Sequence, residues 1–153
     1  MKQSAGILLY RIKKTIEIFL VHPGGPYWKN KDIGAWSIPK GEFADGENAL
    51  AAAQREFEEE TGLICRGPFI ELSAIKQKSG KMVYAWAVKQ DFAADKLKSN
   101  TFEMEWPPKS GKTASFPEID KGRWFSLEEA KLKIIPAQVN FIDELTDQLN
   151  LTE

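Results

Sequence analysis

The sequence predicts an α/β fold in which helices flank a mixed β-sheet. Apolar, β-branched segments occur both before and after one strongly helical segment at residues 47–61, and two more helical segments follow it near the C-terminal end. Strands on both sides of one helix, with further helices at the end, are typical of a sheet covered by helices. The length of 153 residues fits one domain, residues 1–153, that can bury a hydrophobic core.

Two strands are expected ahead of the central helix. Residues 4–11 and 15–22 are rich in isoleucine, leucine and valine, and two lysines separate them. Residues 22–42 are rich in glycine and proline and predict a loop, with a short strand near residues 36–38. The helix at residues 47–61 contains neither proline nor glycine, and Gly62 stands where a glycine commonly ends a helix.

The strands and helices expected after this helix are indicated by alternating apolar and polar residues and by a helix-capping residue. Residues 64–76 and 81–92 predict two strands joined by a turn at residues 79–80. Residues 95–117 are polar and irregular, and a loop of this length in a compact domain is often functional. A short strand is expected at residues 122–126, then a helix capped by Ser126, and finally an amphipathic helix at residues 136–149.

Composition excludes several classes of site. A single cysteine, Cys65, cannot form an intrachain disulfide and fits a reducing compartment, so we expect a cytoplasmic protein. One histidine, His22, is too few for a zinc cluster, and we interpret it as a strand-end or loop residue rather than a lone base. A formal net charge of -1 gives no general reason to bind DNA or an anionic membrane. Neither a signal peptide nor a membrane span is indicated.

The end of the predicted helix carries an unusual group of carboxylates. Glu56, Glu59 and Glu60 have the spacing i, i+3, i+4 and therefore lie on one face, while Glu58 points to the opposite side. Like charges at this spacing repel one another, and the helix dipole disfavours anions at the C-terminal end. Because three oxygen-rich side chains suit Mg²⁺ or Mn²⁺, the pattern predicts a divalent cation site.

Alanines occupy the same helical face one or two turns earlier. A surface exposed to water has no need of such small side chains, so we expect another part of the chain to pack closely there. The residues concerned are Ala49, Ala52 and Ala53.

Residues 41–63, GEFADGENALAAAQREFEEETGL, resemble the signature of the Nudix hydrolase family. That signature is Gly, five residues, Glu, seven residues, Arg-Glu, an apolar residue, any residue, Glu-Glu, any residue, Gly and an apolar residue. The resemblance implies an α/β/α sandwich with a mixed sheet and a loop-helix-loop catalytic motif. The matching positions are Gly41, Glu47, Arg55, Glu56, Phe57, Glu59, Glu60, Gly62 and Leu63.

The resemblance also implies roles for individual residues. The three glutamates of the helix face resemble the family's catalytic metal ligands, for Mg²⁺ or Mn²⁺, and Lys40 matches the position whose backbone carbonyl joins the metal shell. Glu47 and Arg55 resemble a structural ion pair, which requires Glu47 to fold back from the start of the helix. Glu118, on a loop before a late strand, is expected to be a further metal ligand or the general base. Glu56 is the other candidate for the base.

The family hydrolyses nucleoside diphosphates linked to another group, and the sequence leaves that group open. Residues 36–42, WSIPKGE, partly resemble a stretch of the asymmetric dinucleoside tetraphosphate hydrolases, so our first expectation is a dinucleoside polyphosphate or nucleoside triphosphate pyrophosphohydrolase. The alternatives are an RNA 5′-pyrophosphohydrolase or damaged-nucleotide sanitising enzyme, and a non-catalytic nucleotide-binding regulatory module. A small nucleotide is the expected partner, an RNA 5′ end is an alternative one, and the oligomeric state stays open.

Four residues are candidates for substrate contacts. Aromatic rings offer faces for base stacking, and a lysine beside the motif suits a phosphate. Tyr84 and Trp86 share one face of a predicted strand, which equally fits a core face. The candidates are Trp36, Lys40, Tyr84 and Trp86.

Overall fold

A computed structural model describes residues 2–149. It contains a mixed sheet with the strand order β4-β5-β1-β2-β8, in which β3 pairs with β1, and a separate two-stranded sheet of β6 and β7. β1 runs parallel to β5, and the other pairs are antiparallel. The strands are β1 Gln3–Ile12, β2 Ile16–Pro23, β3 Lys40–Phe43, β4 Ile70–Lys76, β5 Met82–Lys89, β6 Thr101–Glu105, β7 Thr113–Pro117 and β8 Ile119–Ser126; the helices are α1 Ala49–Thr61, α2 Leu127–Lys133 and α3 Val139–Gln148.

The main sheet is covered on both faces, which confirms the predicted α/β/α sandwich. Side chains of β1 alternate between two hydrophobic clusters, as the two-residue period of a strand requires. Ile7 and Leu9 lie with Phe57 of α1 in one cluster, whereas Leu8 lies with Phe141 of α3 in the other. Helix α1 therefore packs on one face of the sheet and α3 on the opposite face.

Helix α1 is fixed at both ends by capping. It begins two residues later than predicted because Asn48 caps it, its Oδ1 accepting a hydrogen bond of 2.9 Å from the backbone N–H of Ala51. Gly62 ends it with a φ of 79°, and its N–H donates to the carbonyl of Glu58, as expected of a C-cap glycine. Ala52 and Ala53 are completely buried, which confirms the close packing predicted for the alanine face.

Several predicted boundaries shift. β4 begins at residue 70 instead of 64, and β8 begins three residues earlier than residue 122. The strand predicted near residues 36–38 is reduced to isolated bridges of Trp36 and Ser37, while β3 forms a few residues later, within what was predicted as the end of the loop. Ser126 caps α2 as predicted, with its hydroxyl accepting from the N–H of Glu129 at 3.2 Å. The last helix starts as a short 3₁₀ turn at Pro136–Gln138 before α3 begins.

Residues 95–117 are the largest departure from prediction. They form the hairpin of β6 and β7, which we call the arm, instead of an irregular loop. Residues 101–106 alternate between outward polar residues and half-buried apolar ones, a period that indicates a strand. Glu105 closes the turn of the arm, because its carboxylate accepts from the backbone N–H groups of Lys109 and Gly111 at 3.1 and 3.0 Å.

Within residues 2–149, no helix combines the length and the apolar character needed to cross a membrane.

Asp91, just after β5, links the end of that strand to Arg11 of β1 and to Lys13 in the turn that follows β1. Its carboxylate accepts from Arg11 Nη1 at 2.9 Å and from Lys13 Nζ at 3.2 Å. These hydrogen bonds, first the one from Arg11, lower the pKa of Asp91 from 3.8 to about 2. Because the pKa of Asp91 is lower in the folded protein than its ordinary value of 3.8, the ionised carboxylate stabilises the fold at pH values above 3.8. This contribution disappears as the pH falls through about 2.

We therefore predict that Asp91→Asn lowers the free energy of unfolding at about pH 6, and that its difference from the wild type shrinks toward about pH 2.5. Urea unfolding across this pH range measures the difference. Asp95→Asn, at an exposed position a few residues on, serves as the control and is expected to show little difference throughout. A difference for Asp91→Asn that is independent of pH would contradict the assigned ion pairs.

Candidate metal centre

The three glutamates on the shared face of α1 differ in their exposure. The side chain of Glu59 is 46% exposed, that of Glu56 is 18% exposed, and Glu60 is half-buried beside β3. The pKa of Glu60 is raised to about 8, chiefly by burial and then by the negative charge of Glu56. Burial likewise raises the pKa of Glu56. A cation bound between these two desolvated carboxylates would stabilise their ionised forms.

Lys40 lies against this carboxylate face. Its backbone lies beside the carboxylate of Glu60 and lowers the pKa of that group, against the larger effect of burial. Burial, and then the charge of Lys81, lower the pKa of the Lys40 side chain, while the negative charge of Glu60 raises it. β3 thus brings the backbone of Lys40 close to Glu60, and the role of its carbonyl as a metal ligand stays a prediction.

Gly41 leaves room for Glu56. A Cβ atom at Gly41 would lie 1.9 Å from Glu56 Oε1 and 2.1 Å from its Cδ. The φ of Gly41 is not in the left-handed region, so this glycine is required by space and not by backbone conformation. β3 and α1 approach so closely here that the Glu56 carboxyl group rests on the Gly41 backbone.

Arg55 joins the helix to the loop that precedes it. Its Nη1 donates to Glu47 Oε2, and Nη2 donates to Glu56 Oε2 at 3.1 Å. Glu47 precedes the Asn48 cap, where its Oε1 accepts from the N–H of Ala44 at 3.3 Å. The pair therefore forms with Glu47 outside the helix and folded back, as its helical separation required. Arg55 Nε also lies 3.7 Å from Glu59 Oε1.

Glu118 lies between the arm and β8. Its backbone N–H donates to the carbonyl of Asn100 at 2.8 Å, and its carbonyl accepts from the N–H of Gly24 at 2.9 Å. Its side chain is exposed, and its negative charge adds to the causes that raise the pKa of Glu56 and Glu60, after burial. The fold thus brings Glu118 toward two carboxylates that lie about sixty residues earlier in the chain.

A cavity of about 230 Å³ opens beside Glu60. Its polar lining includes Lys40 and Ser37, and Trp28, which is 42% exposed, stands at its wall. The remaining lining is apolar and comes from Val21, Pro23, Ala35, Ile38, Ile119 and Ile135. A mostly apolar lining with a few polar groups is the composition typical of a small-molecule site.

The structure corrects one predicted substrate contact. Trp36 is 2% exposed, and its ring contacts His22 and Phe125 at centroid distances of 5.1 and 4.9 Å. Its Nε1 donates to Asp32 at 2.8 Å. Trp36 is therefore a core residue with no free face for stacking, because partners distant in sequence enclose it.

Tyr84 and Trp86 are half-buried on the face of the sheet that carries α1. Both pack at the edge of the hydrophobic cluster around Phe57, and Tyr84 contacts Phe43 at a centroid distance of 6.0 Å. They share one strand face, as predicted. Their contact with a substrate stays a prediction.

The donor set fits a hard divalent cation. As they stand, no three acidic, histidine or cysteine side chains among residues 2–149 converge closely enough to enclose one. The carboxylates nevertheless share a helix face, and burial makes two of them costly to ionise without a cation. All the available ligands are oxygens, which favours Mg²⁺ or Mn²⁺ over zinc.

Residues 1–145 match the family model of the NUDIX domain. Nudix hydrolase 5 of Arabidopsis thaliana is 30% identical over 125 residues, covering 81% of this chain, and Nudix hydrolase 6 is 32% identical over 118 residues, covering 76%. The chain spans 36% of the length of each of these two relatives.

Solved structures show the same fold at low identity. A C. elegans Ap4A hydrolase binary complex has a TM-score of 0.67 at 20% identity, covering 96% of this chain and 98% of that one. A NUDIX domain of Shewanella oneidensis NrtR, complexed with ADP ribose, has a TM-score of 0.65 at 12% identity, covering 96% of this chain and 87% of that one. A mutT/nudix family protein from Listeria innocua has a TM-score of 0.63 at 19% identity, covering 98% of this chain and 97% of that one.

We predict that Gly41→Ala weakens Mn²⁺ binding by about tenfold or more, because the added methyl group displaces the Glu56 carboxyl group. The fold should persist, since a flexible side chain can move aside. Electron paramagnetic resonance of free Mn²⁺ measures the affinity.

Gly80→Ala is the matched control for this substitution. Gly80 has a φ of 92° and open space around it, so alanine there costs roughly 1–2 kcal/mol of stability and leaves Mn²⁺ affinity unchanged. Equal Mn²⁺ affinities of Gly41→Ala and the wild type would contradict the proposed position of the cation.

Proposed function

Because the chain belongs to the NUDIX domain family, we propose that it hydrolyses a phosphoanhydride bond in a nucleoside diphosphate linked to another group. The proposal depends on one observation: helix α1 carries two desolvated carboxylates, those of Glu56 and Glu60. Carboxylates that are buried together on one helix face destabilise the helix. A bound cation, with an anionic substrate, would explain why they are there.

The proposed cation is Mg²⁺ or Mn²⁺, held by Glu56, Glu59, Glu60 and the carbonyl of Lys40. When bound, it would neutralise charge on the phosphate oxygens and lower the pKa of the attacking water. Glu118 is proposed as a further ligand or as the general base, with Glu56 as the other candidate for the base. Lys40 lines the cavity beside Glu60, and its positive charge is proposed to attract a phosphate of the substrate.

The proposed substrate is a dinucleoside polyphosphate or a nucleoside triphosphate. The fold shared with an Ap4A hydrolase and with a NUDIX domain that binds ADP ribose supports a nucleoside diphosphate linked to a second group. The partial resemblance of residues 36–42 points in the same direction. We propose that Trp28 and the other walls of the cavity beside Glu60 contact the nucleoside.

We predict that Glu59→Gln and Glu60→Gln each lower kcat by about two orders of magnitude or more, because each removes a charge from the cation site. Steady-state hydrolysis with Mg²⁺ measures the effect, and circular dichroism checks that the fold persists. Glu58→Gln is the matched control, because Glu58 is exposed and lies on the opposite side of the helix. Near-normal turnover by both Glu59→Gln and Glu60→Gln would refute the assignment.

A substrate panel separates the remaining functions. It compares diadenosine tetraphosphate, 8-oxo-dGTP, ADP-ribose, NADH and triphosphorylated RNA, each with Mg²⁺ or Mn²⁺. We expect diadenosine tetraphosphate to have the highest kcat/KM. Preference for triphosphorylated RNA or 8-oxo-dGTP would select the alternative enzymes, and binding without hydrolysis of any compound would select a regulatory module.

A further inference from the structure

A second cleft lies between the arm and the loop that follows β2. It has a volume of about 480 Å³, within the range of small-molecule sites. The arm contributes two aromatic side chains, and the loop contributes a lysine. The lining residues are Gly25, Pro26, Lys29, Trp106, Phe116, Pro117 and Asp120.

The arm is held against this loop by aromatic contacts. Trp106 and Tyr27 meet edge to face at a centroid distance of 5.5 Å and an interplanar angle of 84°. Phe102 approaches the loop so closely that a Cβ atom at Gly25 would lie 3.0 Å from its ring. Tyr27 is 59% exposed even in this arrangement. The arm and the loop therefore meet through aromatic side chains, and the loop presents the ring of Tyr27 to water there instead of burying it in a core.

The same two chain segments wall both this cleft and the cavity beside Glu60. In the first segment, Pro23 and Trp28 line the Glu60 cavity, whereas Lys29 lines the cleft. In the second, Ile119 lines the Glu60 cavity and Pro117 lines the cleft. Glu118, the proposed further ligand or base, stands between those two residues and thus at the boundary of the two spaces.

Hydrogen bonds hold this shared wall in place. His22, which is buried at the end of β2, lies 2.9 Å from Asp120 Oδ1 through Nδ1 and 2.6 Å from the carbonyl of Lys31 through Nε2. The imidazole therefore links β8 to the loop that carries Lys29. Gly24 adds a backbone bond to the carbonyl of Glu118.

We propose that this cleft binds the second nucleoside of a dinucleoside polyphosphate, with its base stacked on Trp106. The proposal rests on the proposed function and names the group linked to the nucleoside diphosphate. An aromatic wall binds any nucleobase through its π-face. Lys29, which takes part in none of the ion pairs formed among residues 2–149, supplies a positive charge for the adjoining phosphates. Asp120 supplies an acceptor for an exocyclic amino group of the base.

The test compares two substrates that differ only in the second nucleoside, diadenosine tetraphosphate and adenosine 5′-tetraphosphate. In Trp106→Ala we expect the ratio of their kcat/KM values, dinucleoside over mononucleoside, to fall roughly tenfold through KM. Trp106→Phe, which keeps an aromatic face, should restore most of the ratio. Leu132→Ala, at an exposed position on α2, is the control and should leave the ratio unchanged.

A merely structural arm would give a different result. If Trp106 only stabilises the loop, Trp106→Ala lowers kcat/KM for both substrates equally, and the proposal is overturned. An unchanged ratio with a normal melting temperature overturns it as well.

A binding measurement keeps the inference separate from the proposed activity. In Glu59→Gln protein with Mg²⁺, titration with diadenosine tetraphosphate should shift the indole N–H signal of Trp106 in a ¹H–¹⁵N spectrum, assigned through Trp106→Phe. The indole of Trp124 donates to the carbonyl of Phe92 at 2.8 Å and should move little. If the wild type hydrolyses no nucleotide, the proposed function fails, and this spectrum alone decides the inference: a shift of Trp106 supports it and a stationary signal overturns it.

Discussion

The close approach of Gly41 to Glu56 is the contact on which the rest of the site depends. With no side chain at Gly41, β3 lies directly against α1, and the Glu56 carboxyl group rests on its backbone. The preceding residue, Lys40, is thereby placed with its backbone beside Glu60. Register on β1 fixes this strand, since Gly41 pairs with Ala5 and Lys40 with Gly6. The sheet thus determines where the carboxylates of α1 can point, and a rigid element carries the proposed cation site.

The same contact places charge where a helix alone would disfavour it. The last turn of α1 contains no basic residue, although the helix dipole there favours cations. Arg55 offsets part of the repulsion by binding Glu47 and Glu56, but burial still leaves Glu60 with a pKa of about 8. Proteins break such local rules chiefly at functional sites, where stability is given up for a binding arrangement. The proposed divalent cation would account for the arrangement.

Most of this site could be predicted from the sequence because its geometry is local. Helical periodicity places the three glutamates on one face whatever the remainder of the chain does, and Ala52 and Ala53 indicate the packing beside them. The core position of Trp36 could not be predicted in that way, since it depends on Phe125, almost ninety residues later. The alternation of residues 101–106 does indicate a strand in the arm, whereas the contact of Trp106 with Tyr27 joins segments almost eighty residues apart and could not be predicted.

The carboxylate face of α1 is proposed to hold a divalent cation. Crystals grown with Mn²⁺, with diffraction recorded on both sides of the manganese absorption edge, locate the ion directly. We expect the strongest anomalous peak to lie within bonding distance of carboxylate oxygens of Glu56, Glu59 and Glu60, and to disappear in Glu60→Gln crystals. A strongest peak elsewhere on the molecule, or one at α1 that persists unchanged in Glu60→Gln, would contradict it.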